Sequence, residues 1–270
     1  MEKFGKSQSV LRTEDDRFLT GKGRYIDDAT PSDSLFAYFY RSQVAHAKIA
    51  SLNVVDAKKA VGIHGIFIAE DLENNGVKND LVGVTVKNRD GTDGASPKRP
   101  LLAKDRVRFV GEPIALVIAD TMQNAKDAAE LIEIDYDDLP VSTELKRGEY
   151  TIHPEAPENV AFEWHLGNKD KTNAAFEKAD KIVSMEVFNN RVIVNSMEPR
   201  GCYANWENGR LHLSFSGQGV WSHKNFASDI LGLRAEQIRV TNPDVGGGFG
   251  MKGMGYPEEF LVSFAAIKLK

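Results

Sequence analysis

Cysteine is almost missing: Cys202 is the only one in 270 residues. A disulfide framework within the chain is excluded, and the composition suits a reducing cytoplasm. No C-x-x-C occurs, and none of the six histidines (His46, His64, His153, His165, His212, His223) falls at H-E-x-x-H or H-x-x-x-H spacing. Side chains of this chain alone are not expected to hold a metal. No apolar run is long enough to span a bilayer, and the opening MEKFGKSQSVLRTEDDRF lacks the apolar centre of a signal peptide. A basic stripe is also lacking, and the net charge of −5 speaks against a general nucleic-acid binder. No G-x-S-x-G elbow supports a serine hydrolase of that type. Paired carboxylates do occur, at Asp15-Asp16, Asp27-Asp28, Asp137-Asp138 and Glu258-Glu259. Adjacent residues do not face one another on a helix or strand, so these read as solvated turns or helix starts. Cys202, in a Gly-Cys-Tyr strand context, reads as core filling rather than as a nucleophile.

Pattern organises what is present. The first thirty residues are punctuated by Gly21, Gly23, Asp27, Asp28, Pro31 and Ser32, so long regular elements are not expected there. LFAYFYR and KIASLNVV alternate as strands, DAKKAV reads as a short helix capped by Asp56, and GIHGIFIAEDL as another strand. Residues 74–100 form a polar excursion with one short strand, LVGVTV. PIALVIA is a continuous apolar run, as a buried strand requires. A helix is expected from about Thr121, with Ala125, Ala128, Ala129 and Ile132 on its packing face, and LIEIDYDDL then alternates to Pro140. This strand–helix–strand unit predicts parallel pairing of its two strands. The polar, proline-bearing LKRGEYTIHPEAPENV marks a domain boundary. From Ala174 to Trp221 three or four strands are predicted, two of them joined by the Asn-Gly turn of WENGRL. HKNFASDILGL reads as a helix with Phe226, Ile230 and Leu233 on one face. IRVTNPDV reads as a strand, and EEFLVSFAAIKLK as a largely apolar helix that needs something to pack against.

Between that last strand and helix stands PDVGGGFGMKG. Consecutive glycines let backbone N–H groups converge on an anion and let a ligand approach without Cβ clashes. The following helix adds its N-terminal dipole. The stretch can therefore cradle a phosphate or an oxyanion-rich cofactor; the bland alternative is a ligand-free tight turn. Gly248 to Gly253 fit G-x-G-x-x-G, but the dinucleotide fingerprint also needs a second strand and an acidic residue about 20 positions on, and 270 residues do not contain them. The glycine stretch does not fit the Walker A pattern either.

Several motifs together carry a more specific signal. RTEDDRFLTGKGRYIDD, RSQVAHAKIASLNVVDAKKAVGIHGIF, FVGEPIALVIADTMQNAKDAAELIEIDYDDLPV, NSMEPRG, SGQGVW and DVGGGFGMK occur in this order along the chain. In that order and spacing the chain resembles the N-terminal third of the molybdenum-containing large subunit of the xanthine dehydrogenase, aldehyde oxidase and carbon monoxide dehydrogenase family, and most of all its carbon monoxide dehydrogenase-like branch. The resemblance implies an α+β fold: an N-terminal arm (1–19), an α/β-hammerhead domain (20–145), a linker (146–160) and the first part of a molybdopterin-binding domain (161–270).

It implies site residues too. Gln218 matches the family glutamine that hydrogen-bonds an oxo ligand of molybdenum, a task an amide performs by donating through its NH2 without bringing charge. Gly247, Gly248, Phe249 and Gly250 match the loop lying against the pterin end of the cofactor, with Phe249 also walling the substrate channel. Glu198 and Arg200 of MEPRG read as a structural ion pair. Where many relatives carry proline and histidine after the glutamine, this chain has Gly219-Val220-Trp221, which leaves His223 without an assigned role. No catalytic residue is expected within the chain, because the general-base glutamate and the specificity loop of the family would lie beyond residue 270. The expected cofactor is molybdopterin in its cytosine dinucleotide form, shared with a complementary C-terminal large-subunit chain. Iron–sulfur and FAD centres would sit on small and medium partner subunits. The apolar final helix, without a C-cap glycine, agrees with a truncated product or one piece of a split subunit, inactive by itself. The rival expectation is a non-catalytic scaffold keeping the hammerhead fold without molybdenum; a third, a nucleotide binder using the glycine loop alone, suffers from the incomplete βαβ unit.

Overall fold

The computed structural model describes residues 11–81, 83–144, 147–148 and 150–270. Two short helices open it, α1 (Asp15–Leu19) and α2 (Ile26–Ala29), in keeping with the punctuated sequence there. Then follow β1 (Phe36–Arg41), β2 (Ala47–Asn53), a 3-10 turn at Ala57–Lys59, β3 (Ile63–Phe67), α3 (Ala69–Asn74), β4 (Arg106–Val107), β5 (Pro113–Ala119), α4 (Met122–Glu130) and β6 (Glu133–Asp138). The rest comprises α5 (Lys169–Glu177), β7 (Cys202–Glu207), β8 (Arg210–Phe215), α6 (Trp221–Leu231), β9 (Ile238–Thr241) and α7 (Pro257–Leu269). The fold is α+β. Its described residues divide into two compact units, one of residues 36–194 with 229–232, the other of residues up to 35 with 195–228 and 233–270.

The unit around residues 36–194 holds two three-stranded sheets, ordered β1-β5-β3 and β4-β2-β6. Every residue of β5 is buried, as its unbroken apolar run requires. Ala115, Val117 and Ala119 pack with Ala125, Ala128 and Ala129 of α4, whereas Ile114, on the opposite face, joins Ala47, Ala103 and Val107. Alanines on α4 let the helix approach the sheet closely, and Thr121 caps it by accepting from Asn124 N at 3.0 Å. The parallel pairing expected of β5 and β6 is not found. Antiparallel β1 and β3 occupy both edges of β5, so β6 has no edge left there and pairs antiparallel with β2 in the other sheet. Ser51 Oγ donates to Asp135 at 2.6 Å and Asn53 Nδ2 to Glu133 at 2.8 Å across that pair. Asp56 precedes the 3-10 turn without a side-chain cap bond. The strand expected over LVGVTV falls in part on Val82, outside the described residues; Leu81 forms an isolated bridge with Arg99.

In the other unit, β7, β8 and β9 form a sheet in that order, β7–β8 antiparallel and β8–β9 parallel. The Asn-Gly turn joins β7 and β8 with positive φ at both Asn208 (52°) and Gly209 (74°). Leu211, Leu213 and Phe215 of β8 are buried, and α7 buries Phe260, Leu261, Phe264 and Ala265. The apolar final helix thus has its packing partner within the chain, against β7 and β8. The buried face of α6 is formed by His223 and Ala227 with Ile230; Phe226 and Leu233 are half-buried. Between Ala174 and Trp221 only β7 and β8 form. Residues 169–177 are helical as α5, and residues 180–200 carry no strand. No described helix is long and apolar enough to cross a membrane.

Candidate functional site

The parallel strand β9 delivers the chain to Asn242–Asp244, and the glycine loop then turns back toward α7. Gly247, Phe249 and Gly250 all take positive φ (99°, 50° and 89°), which curls the loop within four residues. Phe249 adopts a conformation that few non-glycine residues tolerate, and its side chain is 77% exposed.

Gln218, just after β8, is stitched into this loop. Its backbone N–H donates to Lys252 O at 3.0 Å, and its Oε1 accepts from the N–H groups of Gly250 (3.0 Å) and Lys252 (3.2 Å). Two N–H donors can be met only by the amide oxygen, so the orientation of the amide is set and Nε2 is left to donate outward. The Gln218 side chain lies directly on Gly248: a Cβ there would stand 2.6 Å from its Cδ. A side chain at 248 would thus displace that of Gln218 from the loop. The backbone N–H groups of Gly247, Gly248 and Phe249 donate to no protein acceptor among the described residues. The loop and Gln218 therefore present donors without acceptors, a surface suited to an oxygen-rich or anionic group. That chemistry fits the acceptor-rich molybdenum cofactor expected from the sequence.

The donors are held by a network reaching well beyond the loop. Glu198 Oε2 accepts from Gly246 N (2.7 Å) and Lys252 Nζ (2.8 Å), and its Oε1 from Ile26 N (3.3 Å). Lys252 is 1% exposed, so its charge is answered inside the protein. Burial pulls the Glu198 carboxyl upward, but the hydrogen bonds from Lys252, Gly246 and Ile26 prevail and hold it below the usual carboxylate range. Asp244 pairs with Arg17 and accepts from Arg24 N at 2.9 Å; Arg17 above all, then Arg24, depresses its pKa. Tyr256 donates its hydroxyl to Met251 O at 2.6 Å. A cleft of about 850 Å³ beside the N-terminal arm is lined by Arg12, Arg17 and Tyr203, but its guanidiniums at Arg12 and Arg17 already face Asp15 and Asp244.

Glu198 and Arg200 do not pair with each other. Glu198 turns to Lys252, and Arg200 stacks over Tyr256, 3.5 Å from the ring centroid, and faces Glu258 at 3.7 Å. Glu258 and Glu259 do start a helix, but Glu259 is buried (7% exposed) rather than solvated. Its carboxylate lies 3.3 Å from His223 Nε2, which also reaches Met254 O at 3.2 Å. His223, fully buried against Phe215, therefore ties the end of the glycine loop to α7. Burial, with Glu259 and Glu258 nearby, pushes the Cys202 thiol far up, which disfavours the thiolate a nucleophile needs. Sequence reasoning gave Lys252, Asp244 and Tyr256 no role and read Glu259 as a solvated turn or helix start. Only the lysine, an isolated charge inside a glycine-rich stretch, carried any local signal.

The fold is that of an α/β-hammerhead domain joined to part of a molybdopterin cofactor-binding domain. Residues 20–140 match the aldehyde oxidase and xanthine dehydrogenase a/b hammerhead domain, and residues 152–270 the molybdopterin cofactor-binding domain. The chain belongs to the xanthine dehydrogenase, aldehyde oxidase and carbon monoxide dehydrogenase family of large subunits. It is 35% identical over 267 residues to the nicotine 6-hydroxylase large subunit of Paenarthrobacter nicotinovorans, covering 97% of this chain and 32% of that one. To the carbon monoxide dehydrogenase large chain of Afipia carboxidovorans it is 32% identical, covering 96% and 33%. The crystal structure of quinoline 2-oxidoreductase from Pseudomonas putida 86 superposes with a TM-score of 0.80 at 30% identity, covering 97% of this chain and 33% of that one. The chain thus spans about a third of the length of the relatives it matches.

Proposed function

We propose that this chain supplies one wall of the molybdopterin site of a molybdenum hydroxylase. Gln218, Gly247, Gly248, Phe249 and Gly250 are its cofactor-facing residues. The observation that carries this reading is the Gln218 amide, whose oxygen is consumed by Gly250 N and Lys252 N and whose NH2 remains to donate. Gln218 Nε2 and the free N–H groups of residues 247–249 bind and orient the cofactor. Phe249 shields its pterin end and the approach of substrate. When bound, the group supplies two-electron oxidation with oxygen insertion at a carbon centre, or oxidation of carbon monoxide. A complementary chain carries the general base, the specificity loop and the rest of the pterin site, so this chain is inactive without it. Residues 20–145 form the hammerhead domain and 161–270 the first part of the cofactor domain, separated by a linker at 146–160. The cofactor is the cytosine dinucleotide form, electrons leave through iron–sulfur and FAD subunits, and the assembly is cytoplasmic.

Co-expression with a complementary large-subunit polypeptide tests this reading. Elemental analysis should find molybdenum in the purified complex, and Gln218→Ala should lower its content severalfold while circular dichroism stays unchanged. A complex free of molybdenum in cells that load other molybdenum enzymes would leave the chain a scaffold.

A further inference from the structure

Two ion pairs bracket the donor stretch of the glycine loop. The Glu198–Lys252 pair stands at its far end, with the Lys252 side chain fully buried. The other stands at its near end, where Asp244 immediately precedes Val245 and the glycines. Arg17 of α1 meets the Asp244 carboxylate side-on: Nε donates to Oδ2 at 3.2 Å and Nη2 donates to Oδ1. Oδ2 also accepts from Arg24 N at 2.9 Å, and Asp244 N donates back to Arg24 O at 2.9 Å. A guanidinium fork that grips both carboxylate oxygens fixes orientation as well as distance. Farther along the same segment Ile26 N donates to Glu198, which in turn accepts from Gly246 N. Residues 17–26 thus hold the carboxylates at both ends of the loop.

We propose that Arg17 is a positioning residue for the cofactor-facing loop, its guanidinium fork on Asp244 setting where the N–H donors of residues 247–249 point. The proposal rests on the molybdopterin-site reading above. Gly246, Gly247 and Gly248 leave the backbone between the two pairs wide conformational freedom, so its course is set at its ends. Without the near pin, residues 243–246 can swing about the Glu198 contacts. Charge argues the same way. Asp244 stands three residues before Gly247, and a bare carboxylate there repels an oxygen-rich anion at the loop; Arg17 cancels it. A lysine supplies the charge without the fork. Arg12, Glu14, Tyr25, Tyr203 and the Arg24 guanidinium lie around the pair. Among the described residues, however, the Asp244 carboxylate bonds to Arg17 and the Arg24 N–H alone. Arg12 closes on Asp15 within the arm instead.

Amide hydrogen exchange on the chain reads the pin directly. In Arg17→Gln the amides of Arg24 and Asp244 should exchange about tenfold faster than in the wild type. The acid midpoint of their protection should rise from below the usual carboxylate range to about 4, because Arg17 is the main cause of the depressed Asp244 pKa. Amide resonances of Gly247 and Gly248 should move in the same variant. Arg17→Lys should restore the midpoint more fully than the protection. Arg12→Gln is the control and should change none of these, and the β5 amides should stay as they are throughout. In the co-expressed complex, Arg17→Gln should lower the molybdenum content severalfold, and Arg12→Gln should leave it unchanged. Unaltered exchange at Arg24 and Asp244 in Arg17→Gln overturns the proposal. Full recovery of protection in Arg17→Lys overturns it too, as do released amides in a complex that keeps its molybdenum; the cofactor reading survives all three. A wild-type complex that never holds molybdenum overturns both, and the failure then lies in the cofactor reading.

Discussion

Lys252 sits with its ammonium almost wholly out of water and meets Glu198 at 2.8 Å. Removing one member of such a pair strands the other charge, at a cost of about 3–5 kcal/mol. Glu198→Gln is therefore expected to destabilise the unit that holds it by about 3 kcal/mol, read as a lower urea midpoint at pH 7. Lys252→Met should cost clearly less, because Glu198 keeps the N–H groups of Gly246 and Ile26. Equal losses from the two variants would show that the ion pair is not what holds the loop. Gly248→Ala probes the site more directly. A methyl group there would stand 2.6 Å from Gln218 Cδ, so the side chain must swing off the loop. The expected result is a folded protein in which the Gly250 and Lys252 amides lose protection against exchange; unchanged protection would contradict the placement of Gln218.

At the scale of elements, local pattern was a good guide wherever an element finds its partners nearby. The apolar run of β5, the Thr121 cap and small-residue face of α4, and the Asn-Gly turn of β7–β8 all stand as read. Thr121→Ala should cost about 1 kcal/mol by leaving the Asn124 amide without its acceptor, measured by thermal or urea unfolding. Pattern misled where pairing is decided by competition. The strand–helix–strand unit read as parallel because nothing local reveals that β1 and β3 already hold both edges of β5. It misled again over residues 181–194, which were read as strands but form none among the described residues. Propensity sets what a segment can become, and pairing requires a partner.

For the molecule as a whole, acid should act on the two units with opposite signs. Glu198 and Asp244 have depressed pKa values, so their stabilisation is present above the ordinary carboxylate range and lost as pH falls through the lowered folded values. Glu112, 3% exposed, is the reverse. Burial raises its pKa despite the Arg108 N–H it accepts and the Arg108 charge. Its folded form gains protons first, so acidification through the raised value relieves a cost of burying the charge. Exchange protection followed from pH 7 downward should thus rise slightly in the β5 sheet before it falls in the glycine-loop unit. Glu112→Gln should abolish the rise, and a parallel decline in both units would refute the assignment.

Sequence by itself determined most elements and the residues that form the glycine loop. These depend on periodicity, turn chemistry and the glycines, and each is a property of neighbours along the chain. The order of motifs also determined the family. The tertiary structure alone decided which strands share a sheet, that Glu198 answers Lys252 rather than Arg200, and that His223 and Tyr256 moor the loop to α7. It alone oriented the Gln218 amide. Each of these is a choice among partners distant in sequence, settled by which donor, acceptor or edge the packed chain brings within reach.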